Sequence, residues 1–405
     1  MPWIIRTHLT FGIGIALFYL YFFFHLHSSL KVLAGGNGAR YVKVFLPILI
    51  YLNLFPLITI IGYTVNSSYM TDAVAGYVRS FDHFFIVPYW VGFAFIGQMV
   101  LLMGAMDATK LVLYPVYRKY KLQWLRVKSY VFFGVMIFLL AYVPVKVYFD
   151  TNTVRIIAKE FAVPGLPEEL DGLRIAHIAD LQADPRTHER KLNRYVRKVN
   201  QLEPDLVVHS GDLVTSGTQF IGMGAEALGS VKATYGVYAC VGDHDHWAGS
   251  DTIRTALTNH GVVYRDNKNE FVEVNGATIG ISLVTDIYSR RLPDEVLDSL
   301  ALDIARTDLR IIVSHQVPER LVDRAEKLGY QLFLAGHTHG GQVAFGIPGL
   351  FLLQGSRTET PYVTGFFDLG SMLVSVNNGL GLTLAPIRFQ APAEVSLITV
   401  RRGHS

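Results

Sequence analysis

Four long apolar stretches before residue 150 constrain the fold of this chain more than any other feature of its sequence. Each is about 20 residues long, the length that a helix needs to cross the hydrocarbon core of a bilayer. They run over residues Leu9–Leu26, Val44–Tyr63, Phe84–Ala105 and Tyr130–Tyr148. Their centres carry almost no formal charge, which hydrocarbon would penalise. The sequence therefore predicts a transmembrane domain of four helices over residues 1–150.

A soluble helical bundle and a cleaved signal peptide are the other interpretations of these stretches. A soluble bundle needs polar stripes along its helices, which these segments lack. A signal peptide ends at a small-residue cleavage site, which the first stretch lacks, and three further stretches follow it. The composition agrees with membrane helices, because 51% of the residues are hydrophobic, 17% are charged, and the apolar excess lies before residue 150.

The positively charged residues beside these stretches predict an orientation. The loops after the first and third stretches hold nine Lys or Arg, and the opposite side holds five. Positively charged loops are retained in the cytoplasm. We therefore expect a multi-pass protein of the cytoplasmic membrane, with both termini and the part of the chain after residue 150 outside the cytoplasm.

The pattern changes after the last apolar stretch to short apolar runs that alternate with amphipathic segments. Leu173–Ala179 reads as a strand, and Glu189–Leu202 has the apolar period of a helix. Asn275-Gly276 between two apolar runs predicts a hairpin. We expect a layered α/β sandwich over residues 171–405, joined to the helices by a linker over residues 151–170.

Five of the predicted strands end in residues that can bind metal ions. These residues are Asp180, Gln182, Asp212, Asp243, His244, His315, His337 and His339. The carboxyl ends of strands form the edge at which α/β folds bind ligands. A single acid at a strand end is commonly a turn or cap residue, but five donor-bearing ends in succession are not explained by caps. Such a set suits two divalent cations bridged by one carboxylate.

This series resembles the calcineurin-like metallophosphoesterase superfamily, and more closely its membrane-associated, YkuE-like branch. The resemblance covers about residues 170–400 and rests on the order GD…GDHD…H…GHTHGGQ. The later runs Asn378-Gly379-Leu380-Gly381 and Pro386-Ile387-Arg388-Phe389 also look like that branch. The resemblance implies an αββα sandwich and a metal-dependent phosphoric ester hydrolase.

The resemblance also implies a role for each residue of the series. The first metal ion would be held by Asp180, Asp212, His339 and, at the position of a usual ligand histidine, Gln182. The second would be held by Asp212, Asp243, His315 and His337, with Asp212 as the bridge. A hydroxide between the two metals would be the nucleophile. His244 would face the phosphate and protonate the leaving oxygen or stabilise its charge, and His246 is a candidate for lining the substrate groove.

Gln182 and Asp243 depart from the family pattern, which has a histidine and a neutral asparagine at these positions. A glutamine oxygen is a weaker and harder donor than an imidazole nitrogen, and Asp243 adds a negative charge. Oxygen-rich coordination favours manganese, iron or magnesium over zinc, and manganese is our first expectation. Asp184 or His188 could supply a compensating ligand from the following loop.

The sequence thus predicts a membrane-anchored, two-metal phosphoesterase that hydrolyses phosphodiester or phosphomonoester bonds on lipid- or envelope-linked substrates. A cytoplasm-facing pyrophosphohydrolase of a nucleotide-linked lipid precursor is one alternative. A catalytically silent metal-binding receptor or sensor is another, and Gln182 is its support. We expect no nucleic-acid partner, because the net charge is +3 and no basic patch is interleaved with aromatic residues.

Two smaller features complete the prediction. The only cysteine, Cys240, lies in an apolar run, so we expect a buried strand thiol and no disulfide within the chain. The apolar run Phe345–Leu353 is either part of the core or a lip that meets the membrane.

Overall fold

The computed structural model describes residues 3–35 and 38–403, which divide into two compact units. The helical unit comprises Met1–Phe149, Val343–Leu353 and Leu384–Gln390. The α/β unit comprises Asp150–Gln342, Gln354–Thr383 and Ala391–Ser405. The sequence predicts a single domain over residues 171–405. Two apolar segments of that region belong instead to the helical unit, because apolar composition alone does not show which core a segment joins.

Eight α-helices are described in the helical part of the chain. They are α1 (Trp3–Ala34), α2 (Gly38–Leu52), α3 (Leu54–Thr64), α4 (Ser68–Ala75), α5 (Arg79–Phe81), α6 (Val87–Val112), α7 (Tyr114–Lys119) and α8 (Lys121–Asn152). Three described segments are long and apolar enough to cross a membrane, namely Gly14–Ala34, Arg79–Val112 and Lys121–Asn152.

The expected second span is broken in the structure, which corrects the prediction of four membrane helices. Lys43–Leu52 and Leu54–Thr64 meet at an angle of 46°, so the spans number three, or four if this bent pair is one crossing. Pro56 explains the break, because its ring lacks an N–H and clashes with the carbonyl four residues earlier. Asn53 occupies the break, and its side-chain amide donates to the Leu49 carbonyl at 2.7 Å.

Within its described residues, the α/β unit contains two six-stranded mixed sheets. In the first sheet the order is β1 (Val154–Pro164), β14 (Ala393–Gly403), β2 (Arg174–Ile178), β3 (Leu206–His209), β4 (Val237–Ala239) and β5 (Val263–Tyr264). In the second it is β12 (Gly365–Asp368), β13 (Leu373–Val376), β9 (Leu332–Ala335), β8 (Leu309–Ser314), β7 (Ala277–Val284) and β6 (Lys268–Val274). This arrangement confirms the α/β class.

Six α-helices are described between these strands, and a further hairpin belongs to the other unit. The helices are α9 (Glu189–Asn200), α10 (Ile221–Gly229), α11 (Asp243–Ala248), α12 (Ser250–Asn259), α13 (Asp294–Asp303) and α14 (Glu319–Lys327). The hairpin strands, β10 (Phe345–Ile347) and β11 (Phe351–Leu353), pair only with each other in the described structure.

Residues 151–170, predicted to be a linker, contain the edge strand β1 instead. This strand runs parallel to β14 from the pair Val154↔Ala393 to the pair Pro164↔Gly403. Its run Val154-Arg155-Ile156-Ile157 is rich in β-branched residues, which favour an extended backbone. Pro164 ends the strand, where a missing N–H costs no ladder hydrogen bond.

A shared apolar core joins the two sheets of the α/β unit. Ile175 and Val208 from the first sheet lie in one buried cluster with Ile281 and Leu334 from the second. Cys240 is buried in the same cluster with a free thiol, as the sequence predicted. Because β2, β3 and β4 run parallel, and β7, β8 and β9 run parallel, each sheet presents a set of carboxyl ends at one edge.

Candidate metal centre

Five strand ends deliver the predicted donors, three from the first sheet and two from the second. Asp180, Asp212 and Asp243 follow β2, β3 and β4. The imidazole donors follow β8 and β9 of the other sheet, and they are His315, His337 and His339. The structure brings all six side chains together, and we describe them as two clusters.

The Asp243 cluster consists of Asp243, His315 and His337. One potential ligand atom from each of these residues lies within 4.8 Å of the other two. His337 Nδ1 lies 3.1 Å from Asp243 Oδ2, and His315 Nε2 lies 3.6 Å from the same oxygen. One carboxylate and two imidazoles converge here, so the cluster could hold a metal ion.

The Asp180 cluster consists of Asp180, Gln182, Asp212 and His339. His339 Nε2 lies 3.2 Å from Asp180 Oδ1. The Gln182 amide donates to Asp212 Oδ2 at 2.8 Å, and the Gln182 side chain is fully buried. Asp180 and Asp212 also fall within 4.8 Å of His315 in ligand-atom distance. This cluster therefore has more oxygen donors and fewer imidazoles than the Asp243 cluster.

Asp212 lies between the two clusters. Its Oδ2 atom is 3.2 Å from His315 Nε2 and 3.9 Å from His244 Nε2. Its other oxygen accepts the backbone N–H of His244 at 2.9 Å. This carboxylate therefore lies beside donors of both clusters, as does the His315 imidazole.

The backbone around the centre is strained. The non-glycine residues with positive φ include Asp180 (51°), Gln182 (48°), Asp212 (61°), His337 (68°) and His339 (49°). Left-handed backbone costs a residue with a Cβ about 1 to 2 kcal/mol. A Cβ on Gly242 would lie 2.1 Å from Asp212 Oδ1, so only glycine fits beside that carboxylate. Strain of this kind concentrates at functional sites.

In two of the imidazoles, those of His315 and His244, the second nitrogen is held by a backbone carbonyl. His315 Nδ1 lies 2.8 Å from the Ser210 carbonyl, and His244 Nδ1 is hydrogen-bonded to the Thr215 carbonyl. A carbonyl oxygen only accepts, so both Nδ1 atoms carry the proton. The Nε2 atoms of His315 and His244 are therefore the ones that face Asp212.

The charges of the centre shift one another's pKa values. Burial raises the pKa of Asp212, but the imidazoles of His315 and His244 outweigh burial and hold it well below its usual range. Burial also opposes ionisation of Asp243, yet its hydrogen bond to His337 and the charge of His315 lower its pKa to about 2. Conversely, although burial lowers the pKa of His337, the Asp243 and Glu359 carboxylates raise it to about 9.

Residues 173–341, which contain every donor of both clusters, match the family description "Calcineurin-like phosphoesterase". The chain contains a calcineurin-like metallophosphoesterase domain. The resemblance seen in the sequence is thereby confirmed.

Three relatives carry the same domain. An uncharacterized metallophosphoesterase of Campylobacter jejuni is 26% identical over 255 residues, covering 62% of this chain and 64% of its own. A transmembrane protein with metallophosphoesterase domain from Danio rerio is 29% identical over 264 residues, covering 62% and 58%. The uncharacterized metallophosphoesterase YkuE of Bacillus subtilis is 26% identical over 240 residues, covering 58% and 82%. The matches thus span less than two thirds of the first two relatives' own lengths.

Three residues that contact the Asp243 cluster were not identified from the sequence, and they are Tyr288, Gln316 and Glu359. The Tyr288 hydroxyl lies 3.0 Å from His337 Nε2 and 2.5 Å from Glu359 Oε2, and the Tyr288 N–H donates to Asp243 Oδ1 at 3.2 Å. Gln316 donates to Asp243 Oδ2 at 2.8 Å. Gln316 could have been found because it follows His315 directly. Tyr288 and Glu359 lie in loops without a motif, so no sequence signal marked them.

Asp245 supports the centre through the backbone. Its carboxylate accepts the N–H groups of Asp212 at 2.9 Å, Leu213 at 2.8 Å and Gly242 at 3.1 Å. These contacts fix the loop that carries Asp212 to the loop that carries Asp243.

Some predicted residues do not join the centre. His246 is exposed on α11, and no hydrogen bond or ion pair among the described residues joins it to either cluster. Asp184 is buried, but its oxygens accept from the N–H groups of Arg186 and Thr187 and from the Thr215 hydroxyl. A carboxylate engaged by its own loop does not compensate for Gln182. His188 instead precedes α9 at its N-cap.

Proposed function

We propose that this chain is a membrane-anchored phosphoesterase that uses two divalent metal ions to hydrolyse phosphodiester or phosphomonoester bonds. The observation that carries the proposal is the position of Asp212, whose carboxylate lies beside donors of both clusters. The match to the calcineurin-like phosphoesterase family supports phosphoester hydrolysis as the class of reaction.

The donor set fits divalent cations. Asp180, Asp212 and Asp243 are each at most 2% exposed, and their ion-pair partners among the described residues are histidines. Burying several carboxylates without a lysine or arginine is costly unless other positive charge is supplied. Gln182 Oε1 is also buried without a hydrogen-bond partner in the described structure. Metal ions would satisfy both the charge and this oxygen.

We assign the residues of the Asp180 cluster, including Gln182, to one ion and those of the Asp243 cluster to the other, with Asp212 shared. Bound cations would supply positive charge to the phosphoryl oxygens and lower the pKa of a water molecule. Manganese is the proposed metal, because four of the donor side chains offer oxygen. These are Asp180, Gln182, Asp212 and Asp243.

His244 is the proposed catalytic residue. The Thr215 carbonyl orients its Nδ1 atom, and the Trp247 ring packs edge-on against the imidazole at 5.1 Å between centroids. Its Nε2 atom consequently faces Asp212, and its side chain is 13% exposed, which leaves access for a substrate. From this position a protonated His244 donates to the leaving oxygen.

The membrane anchor and a lipid- or envelope-linked substrate form the finer part of the proposal. Three long apolar helices and a relative named as a transmembrane protein support the anchor. The excess of positive charge in the first and third loops supports a domain outside the cytoplasmic membrane.

Hydrolysis assays on the full chain test the proposed reaction. The purified protein would be stripped of metal, reloaded with manganese, iron, magnesium or zinc, and assayed against phosphodiesters, phosphomonoesters and phospholipids. We expect metal-dependent hydrolysis of at least one class. No hydrolysis with any metal would refute the proposal and favour a silent metal-binding receptor.

A topology assay separates this proposal from a cytoplasmic pyrophosphohydrolase of a lipid precursor. A reporter that is active only outside the cytoplasm should work when fused after residue 405 and be silent when fused near Lys119. The reverse pattern would place the domain in the cytoplasm, where nucleotide-linked precursors are found.

A further inference from the structure

The segment Val343–Leu353, which we call the hairpin segment, has no polar or charged side chain at any of its positions. Its strands β10 and β11 pair in antiparallel register from Phe345↔Leu353 to Ile347↔Phe351. Pro348 and Gly349 form the turn, closed by a hydrogen bond from Leu350 N–H to the Ile347 carbonyl at 3.0 Å. Exposed hairpin turns are ordinarily polar, so an entirely apolar one requires an explanation.

The hairpin segment packs on α6, a membrane-spanning candidate in the same unit. The Phe345 ring contacts the Phe93 ring edge-on, with 5.3 Å between centroids. A Cβ on Gly97 would lie 2.3 Å from the Phe345 ring, so the glycine is what allows this approach. Small residues at close contacts are typical of packing inside membranes.

The outer backbone edge of β10 and its flank are hydrogen-bonded to other groups of the helical unit. Gly346 donates its N–H to Gln98 Oε1 at 3.0 Å, and its carbonyl accepts from Gln98 Nε2 at 2.9 Å. The Gln390 amide donates to the same carbonyl at 3.2 Å. Ala344 N–H donates to the Phe389 carbonyl at 2.9 Å. An open strand edge cannot persist in hydrocarbon, and these bonds remove that obstacle for β10.

The position of Gln98 shows how far along α6 this pairing lies. It lies near the middle of α6, about 16 Å along the helix axis from Val87. The hydrocarbon core of a bilayer is about 30 Å thick. A buried glutamine in the middle of an apolar span is costly unless both ends of its amide are bonded, and the Gly346 peptide supplies both partners.

Three apolar side chains of the hairpin segment are exposed in the described structure. Ile347 is 44% exposed, Leu350 73% and Leu353 54%. These values match those of outward-facing residues on the spanning helices, such as Leu140 at 57%. The segment is therefore not simply core.

We propose that the hairpin segment is a re-entrant membrane element whose exposed side chains, Ile347, Leu350 and Leu353, contact the acyl chains of lipids. Membership of the helical unit, the bonded edge of β10 and the absence of any polar side chain all favour lipid over a protein partner. Irregular backbone is accepted at membrane depth where protein satisfies its polar groups.

The proposal also narrows the class of substrate that the metal centre could act on. This step rests on the proposed function. Val343 follows the assigned metal ligand His339 by only four residues of chain. The second inserted segment begins at Leu384, three residues after Gly381, where a Cβ would lie 2.5 Å from that of Gln182. Chain segments beside the metal ligands thus lead directly into the helical unit. The substrate class that this connection favours is a phosphate ester in a lipid headgroup.

Site-directed labelling tests the location of the hairpin segment without any need for activity. Cys240 is the only native cysteine and is buried, and burial raises the pKa of its thiol. Leu350→Cys in the full chain would be labelled with an environment-sensitive fluorophore and reconstituted in phosphatidylcholine vesicles. Leu302→Cys is the matched control, because Leu302 is a leucine of α13 in the α/β unit with 77% exposure.

We expect the label at position 350 to be quenched by nitroxides on lipid acyl chains and protected from aqueous iodide. The label at position 302 should show the reverse. Iodide quenching at position 350 equal to that at position 302 would overturn the proposal. Protection of position 350 from both quenchers would also overturn it, by indicating a protein partner or a second copy.

A second experiment tests the substrate class. Leu350→Asp should lower kcat/KM for a vesicle-embedded phosphate ester, relative to that for a soluble phosphate ester, by roughly tenfold, because a carboxylate is penalised in hydrocarbon. Leu302→Asp should leave this ratio near that of the original protein. Equal ratios in both variants would overturn the lipid-substrate step. If the original protein hydrolyses neither ester, the proposed function fails, while the quenching result still decides the location of the hairpin.

Discussion

The two clusters of the metal centre share Asp212 but differ in the donors around it. The Asp243 cluster offers two imidazoles and a carboxylate, and its members are further held by Tyr288 and Gln316. The Asp180 cluster offers one imidazole, and a glutamine amide lies where the family pattern has a histidine. Imidazole suits zinc and iron, whereas oxygen donors suit manganese and magnesium. We therefore expect the two clusters to differ in which metal they prefer and in how tightly they bind it.

The largest expected effect comes from removing the shared carboxylate. Asp212→Ala should remove metal from both clusters and reduce hydrolysis to the level of the metal-free protein, because each ion loses a ligand. Metal content measured by mass spectrometry checks this. Asp184→Asn is the control, since Asp184 is also buried but bonds to its own loop. Unchanged metal content in Asp212→Ala would contradict the bridging role.

A second variant should reduce turnover without affecting either cluster. His244→Ala should lower kcat on esters with poor leaving groups by roughly a hundredfold, because proton donation to the leaving oxygen is lost. Metal content should remain at the original level, and good leaving groups should be affected less. His260→Ala, which changes an exposed histidine, is the comparison. Equal losses for good and poor leaving groups would argue against a general acid.

The pH dependence of metal retention should distinguish the clusters. The Asp243 and Glu359 carboxylates raise the pKa of His337 to about 9 against the effect of burial, so its imidazole is protonated below that pH in the metal-free protein. Metal must displace this proton, so affinity at the Asp243 cluster should fall as the pH falls from 9 toward 6, by up to about tenfold per unit for each proton displaced. Titrations of the metal-free chain at several pH values measure this slope. A slope of zero would contradict the assignment of His337 as a ligand.

Replacing Gln182 or Asp243 should change the metal preference of the cluster to which each residue belongs. Gln182→His would place an imidazole in the Asp180 cluster and should raise its zinc affinity by roughly tenfold. Asp243→Asn removes one negative charge and should weaken manganese binding in the other cluster. Competition between zinc and manganese, followed by metal analysis, checks both. If Gln182→His leaves stoichiometry and preference unchanged, Gln182 is not a ligand.

The smallest expected effect concerns the hydrogen bonds around His337. Tyr288→Phe removes the hydroxyl that lies between His337 Nε2 and Glu359. Loss of one such bond should weaken metal binding at the Asp243 cluster by about threefold to tenfold. Tyr362→Phe, a tyrosine elsewhere in the α/β unit, controls for general effects. Weakening at the Asp180 cluster instead would contradict the assigned position.

The convergence of the proposed donors was easier to predict from the sequence than the residues that surround them, for a physical reason. Each of the six carboxylate and imidazole donors follows an apolar strand, and parallel strands bring their ends to one edge, so local pattern was sufficient. Tyr288 and Glu359 reach His337 through loops, whose paths depend on tertiary packing. Gln182 was recognised as unusual, but only the structure shows that its side chain is buried beside Asp212.

The boundaries of helices and strands, and the unit to which each segment belongs, were harder to predict than whether a segment is a helix or a strand. Residues 154–164 lack the strict alternation of a half-buried strand, and their pairing partner β14 lies over 200 residues later in the chain. Val343–Leu353 and Leu384–Gln390 are apolar, and apolar character alone fits either unit. The break at Asn53 lies three residues before Pro56, whereas Pro47, in the same predicted span, lies inside α2 without ending it.

Metal stoichiometry during activation tests the central claim most directly. The metal-free full chain would be titrated with manganese while bound metal and hydrolysis of a soluble phosphodiester are measured on the same samples. We predict that two ions bind per chain and that hydrolysis develops with the second, because the clusters act through the shared Asp212. Full hydrolysis with one bound ion, or with none, would contradict the two-metal account.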